Sequence, residues 1–115
     1  MIAIRVHRSR DSTVHVRVSG HGAGKKGEDI VCAAVSSITQ TALAGLLYYG
    51  KSLVKWKKKD GLLDFSISGT PDQELSAAFN TIICTMVLGL KGILKEYPKI
   101  VKLDVGKDFD PKASS

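Results

Sequence analysis

Period-two alternation near the start of the chain is the strongest constraint on its fold. Ile2, Ile4 and Val6 alternate with Ala3, Arg5 and His7, and Val14, Val16 and Val18 alternate with His15, Arg17 and Ser19. A strand sends successive side chains to opposite faces, so each run has one face to bury and one to wet. We read residues 2 to 7 and 13 to 19 as half-buried strands, joined into a hairpin by Ser9-Arg10-Asp11-Ser12. A signal peptide needs a continuous apolar block instead. A cytoplasmic location is therefore expected.

The period then changes. From about Ile30 to Tyr48, the residues Val31, Val35, Ile38, Ala42 and Leu46 recur at spacings of three and four, which make one helix face. Asp29 is the expected N-cap and Gly50 the expected stop. Leu53 to Lys59 and Leu62 to Ser68 read as a second hairpin, because Asp60-Gly61 is a strong two-residue turn signal. Thr70 is the expected cap of a second helix, with Pro71 at its first position. Leu75, Phe79, Ile82, Met86, Leu90, Ile93 and Tyr97 form its apolar stripe, and Pro98 ends it. Ile100 to Val105 is a last strand. The order β-β-α-β-β-α-β predicts an α+β fold: a mostly antiparallel sheet with two helices packed on one face. The expected organisation is one domain over 1–106, followed by a polar, frayed tail over 107–115. No uninterrupted run of about 18 apolar residues occurs, so neither a spanning helix nor a membrane partner is expected.

The formal net charge is +6, and Lys55, Lys57, Lys58 and Lys59 supply much of it. Such a balance permits nucleic-acid contact. Lysines on an edge strand also block aggregation, which is the plainer account of this cluster. Aromatic residues are only 6% of the chain, too few for a base-stacking platform to be expected.

Residues 20 to 27 read as a loop holding Gly20, Gly22, Gly24 and Gly27. Glycines let a loop move, or bring its backbone close to a ligand. The loop is not a P-loop: Gly20 and Gly24 enclose three residues rather than four, and Lys26 stands where a magnesium-binding Ser or Thr belongs. The two cysteines, Cys32 and Cys84, show no metal-ligand spacing, so no metal or other cofactor is expected. Cys84 falls in the apolar second helix and reads as a buried, inert thiol.

Cys32 falls in the expected first turn of the first helix, where free amides and the helix dipole stabilise a thiolate. The same amides can hold an oxyanion. His21 closes the second strand eleven residues earlier, within reach through the glycine loop. A histidine beside a thiol is the usual way to activate a cysteine nucleophile. Taken singly, Cys32 also suits a packing role and His21 a solvated one.

The segments Ser19-Gly20-His21 and Gly27-Glu28-Asp29-Ile30-Val31-Cys32-Ala33-Ala34-Val35-Ser36 resemble the signature of the bacterial ribosomal-processing cysteine proteases, the Prp family. The resemblance covers about residues 19 to 37. It implies a catalytic dyad of His21 and Cys32, with Asp29 and Ser36 supporting the site and the glycine loop ordering over substrate. It further implies a homodimeric endopeptidase that removes the N-terminal extension of a large-subunit ribosomal protein. The sequence departs from the family pattern in the loop, where Gly22 follows His21 and Lys25 and Lys26 stand in place of bulkier residues. Two other readings compete: a non-catalytic ribosome- or RNA-associated module, resting on the charge, and a redox sensor acting through Cys32.

Overall fold

The alternating runs form strands because each pairs with its neighbour in a register that keeps the apolar sides together. The computed structural model describes residues 1–20 and 26–110. Strand β1 (Ile2–Arg8) pairs antiparallel with β2 (Val14–Gly20), placing Ile4 opposite Val18 and Val6 opposite Val16. Helix α1 (Lys26–Gly50) follows and leads into a second hairpin of β3 (Val54–Lys59) and β4 (Leu62–Ile67). Its turn residue Gly61 has φ 74, which the two-residue turn requires. Helix α2 (Gln73–Glu96) then leads to β5 (Val101–Val105).

The five strands lie in the order β3-β4-β2-β1-β5. Every pairing is antiparallel except that of β5 with β1, which is parallel. One sheet face is apolar: Ile2, Ile4, Val6, Val14, Val16, Leu63, Phe65, Ile67 and Val101 are buried there. Both helices cover that face, through Val31, Val35 and Leu46 of α1 and Phe79, Ile83, Val87 and Leu90 of α2. The α+β architecture and the helix placement follow the expectation.

Four local expectations need correction. Helix α1 begins at Lys26 rather than near Ile30, so Asp29 is its fourth residue and not its cap, and Gly27 belongs to the helix rather than the loop. Helix α2 is capped by Asp72, whose carboxylate accepts from the Leu75 amide at 3.1 Å. Thr70 instead accepts from the Asp72 amide at 3.2 Å, and Pro71 lies before the helix. An ionised carboxylate is a strong acceptor at the positive end of a helix, so the cap moves to it. Cys84 is half-buried on the flank of α2 rather than buried.

The fourth correction concerns the tail. Residues 107–109 form a short 3-10 turn, and Phe109 is 1% exposed. The Arg8 guanidinium lies 5.1 Å from the Phe109 ring centre and donates to Asp108 and Asn80, each at 3.0 Å. Lys91 pairs with Asp110. This strap clamps the end of β1 to α2, because burying one aromatic ring outweighs the polarity of its neighbours. Residues 111–115 lie outside the described residues.

By length and composition, Asp29–Leu53 and Gln73–Glu96 are each apolar enough to cross a membrane, which a search for uninterrupted apolar runs does not detect. In the fold, each turns one side to the sheet. Their outer sides keep Tyr48, Tyr49 and Leu88 exposed.

Candidate active site

The early start of α1 changes the surroundings of Cys32. Cys32 is the seventh residue of the helix, in its second turn, where the backbone amide is already bonded within the helix. The amides left free are those of the first four residues, Lys26 to Asp29. The expectation that the amides beside Cys32 hold an oxyanion is therefore corrected: any such donors lie a turn earlier. The dipole field is also weaker at Cys32 than in the first turn.

What the helix does provide is direction. Cys32, Val35, Ser36, Thr39 and Gln40 lie along one side of α1 and form a wall of a cavity of about 460 Å³. That is an ordinary size for a ligand site. Ile2 and Val18 come from the sheet, and Gly20 stands at the end of β2. The opposite wall is the second hairpin, with Lys58, Lys59, Asp60, Gly61, Leu62 and Leu63. Cys32 is half-buried, so its sulfur is neither sealed in the core nor fully in water.

Gly20 fixes how the chain leaves β2. Its φ is +115, and a Cβ there would lie 2.2 Å from the Met1 carbonyl oxygen. No other residue adopts this conformation without strain. Its amide donates to Gly61 at 3.0 Å, which ties the strand end to the second hairpin turn. Across the cavity, the Lys58 ammonium donates to the Gln40 side chain at 3.2 Å. Thr39, 0% exposed, donates its hydroxyl to the Val35 carbonyl within α1 at 2.9 Å.

Of the residues singled out in the sequence, Cys32, Ser36 and Gly20 share this cavity. Asp29 is exposed on α1 and is not among the described lining residues. Gly27 is the second residue of α1. His21, Gly22 and Gly24 lie outside the described residues. Sequence reasoning missed Gln40, Lys58, Lys59 and Asp60. The Asp-Gly turn was visible, but only the pairing of β4 with β2 brings it beside the helix. Among the described residues, no three His, Cys, Asp or Glu side chains come together as metal ligands.

Residues 1–102 match the model of a protein family described as cysteine protease Prp. The chain belongs to the Prp family of cysteine proteases. Among solved structures it is similar to the essential ribosomal processing protease Prp of S. aureus in complex with a substrate peptide, at 24% identity and a TM-score of 0.71, covering 92% of this chain and 100% of that one. The same S. aureus protease with a covalently linked product peptide gives 23% identity and a TM-score of 0.67, with 92% and 100% coverage. A Streptococcus mutans protein of solved structure gives 23% identity and a TM-score of 0.62, covering 91% and 93%. No curated protein matches the chain. These structures share the fold with this chain, including its two helices and mixed five-stranded sheet.

Proposed function

We propose that this cysteine protease is a cytoplasmic endopeptidase that uses Cys32 as nucleophile and His21 as its base to remove the N-terminal extension of a large-subunit ribosomal protein. One observation carries the assignment. Gly20, the residue before His21, and Cys32 line the same cavity, which supports pairing His21 with Cys32. The ribosomal substrate rests on the likeness to the S. aureus protease, which is described as a ribosomal processing protease.

In this reading His21 takes the Cys32 thiol proton, and the sulfur bonds to the peptide carbonyl carbon. The tetrahedral intermediate collapses as the C–N bond breaks, and the proton on His21 goes to the leaving amine. Water then attacks the thioester, releasing the new carboxyl terminus and restoring the thiol. The cavity accepts an extended segment between α1 and the second hairpin. Ser36, one turn after Cys32 on the same wall, supports the bound peptide or the thiol. Asp29, near the free amides at the start of α1, supports the helix end.

We assign the apolar outer side of the helices to a second copy of the chain. Ile38, Ala42, Gly45, Tyr49, Ile82 and Met86 line a groove there, and Tyr48 beside it is 82% exposed. Four hydroxyl residues, Ser37, Thr41, Thr81 and Thr85, also line the groove, and a largely apolar surface of this kind favours association.

The test is cleavage of a peptide copying the extension of the host ribosomal protein. Wild type cuts at one site, while Cys32→Ser and His21→Ala stay folded by circular dichroism and do not cut. Cutting by either variant at the wild-type rate overturns the dyad.

A further inference from the structure

The sheet has a second face that no helix covers, and its side chains fall into three rows set by the strand register. Lys55, Ser66, His15 and His7 form the first row across β3, β4, β2 and β1. Lys57, Asp64, Arg17, Arg5 and Asp104 form the second, and Lys59, Leu62, Ser19, Ala3 and Lys102 the third. Trp56 and Lys58 fall on the other side, opposite buried Phe65 and Leu63.

This open face holds six cationic side chains against two carboxylates, a net +4 out of the chain's +6. Both carboxylates are occupied: Asp64 by Arg17 at 2.8 Å and Asp104 by Arg5 at 3.5 Å. Lys55, Lys57, Lys59 and Lys102 are exposed and make no ion pair among the described residues. Along β3 the lysines stand about 6.8 Å apart, twice the strand rise, and the face is about 19 Å wide from β3 to β5. Edge protection explains why charge sits on β3 and β5. It does not explain Arg17 and Arg5 on the inner strands β2 and β1, which neutralise the carboxylates of this face and leave its lysines unpaired.

We propose that this open sheet face binds the phosphate backbone of double-stranded RNA. Free lysines spaced across a broad surface suit a row of phosphates, and they release counterions when neutralised. None of the chain's Phe, Tyr or Trp residues lies on this face, and its two imidazoles, His7 and His15, stack on each other at 5.2 Å, so the face favours backbone and shape contacts, the mode used on RNA duplexes. A membrane surface fits less well. Anionic lipid binding is strengthened by apolar anchors beside the charges, and the exposed Tyr48, Tyr49, Trp56 and Leu88 all belong to the helix side or the helices. The choice of RNA over another polyphosphate rests on the ribosomal reading above. The charge distribution does not.

The test uses the full chain carrying Cys32→Ser, so the outcome is independent of proteolysis. A fluorescein-labelled RNA hairpin of mixed sequence is titrated at several salt concentrations and read by anisotropy. Lys55→Glu/Lys57→Glu/Lys102→Glu should weaken binding at least tenfold at low salt. It should also flatten the dependence of log K on log salt by about 2 to 3, near one contact per lysine. Lys51→Glu/Lys95→Glu/Lys99→Glu makes the same change in net charge away from this face and should cost less than twofold. No RNA binding by the parent chain overturns the proposal, as does an equal loss in both triple variants. So does binding to phosphatidylglycerol vesicles that the first triple abolishes while RNA binding is unchanged.

Discussion

The backbone amide of Gly20 donates to the carbonyl of Gly61 across 3.0 Å, joining the last residue before His21 to the turn of the second hairpin. The bond closes one end of the cavity that holds Cys32. It also makes the end of β2 depend on two hairpins at once.

Gly20→Ala is expected to cost about 1 to 3 kcal/mol, since the residue is held at positive φ and its Cβ would meet backbone rather than a yielding side chain. Peptide cleavage should fall further than the loss of stability accounts for, because the chain would leave β2 in another direction. Thermal unfolding and a cleavage assay run on the same preparation check both. An alanine variant with wild-type stability and activity removes the constraint we assign to Gly20.

Phe109→Ala is expected to lower stability by about 3 to 5 kcal/mol, the usual range for deleting a buried aromatic ring. Urea unfolding measures it. A change under about 1 kcal/mol would mean that the strap over β1 does not hold.

The hairpin joining β1 to β2 carries an acid-sensitive carboxylate. The Ser9 hydroxyl, and then the Thr13 amide, donate to Asp11 and lower its pKa from 3.8 to about 2. A depressed carboxyl pKa favours the folded state above the unfolded value, and that preference disappears as the pH falls through the folded value. The pH window is therefore roughly 4 down to 2. Carbon-detected NMR titration of Asp11 should show a midpoint near 2, moving upward in Ser9→Ala. An unshifted midpoint near 3.8 contradicts the hydrogen-bonded turn.

Association through the helices predicts that wild type sediments as a dimer. Tyr49→Glu and Leu88→Glu each alter a side chain that is more than half exposed, so the fold should survive while the dimer dissociates. Sedimentation equilibrium with circular dichroism decides it, and a monomeric wild type overturns the interface.

Much of this fold was legible in the sequence because its signals are local. Ile2 to Val6 and Val14 to Val18 alternate without interruption, Asp60-Gly61 marks its own turn, and the apolar stripes of both helices run at helical spacing. Two failures came where the local signal is weak. Lys26, Gly27 and Glu28 have no apolar period and include a glycine, so nothing marks them as helical, and the sequence alone puts Cys32 in the first turn rather than the second. Phe109 stands alone among polar residues, and only tertiary contact with Arg8 gives it a role. The cavity was half legible. Cys32 and Ser36 share a helical face by spacing alone, whereas Lys58 and Asp60 face them only because β4 pairs with β2.

The parallel pairing of β5 with β1 also bears on how the protein is made. During translation β1 emerges early, and the strand that completes its outer edge is separated from it by nearly the whole domain. Until residues 101–105 appear, that edge keeps unpaired amides and carbonyls, a ready template for strands of other chains. Closing the sheet is thus a late event of synthesis. A nascent chain stalled within α2 would be both an incomplete enzyme and a seed for aggregation.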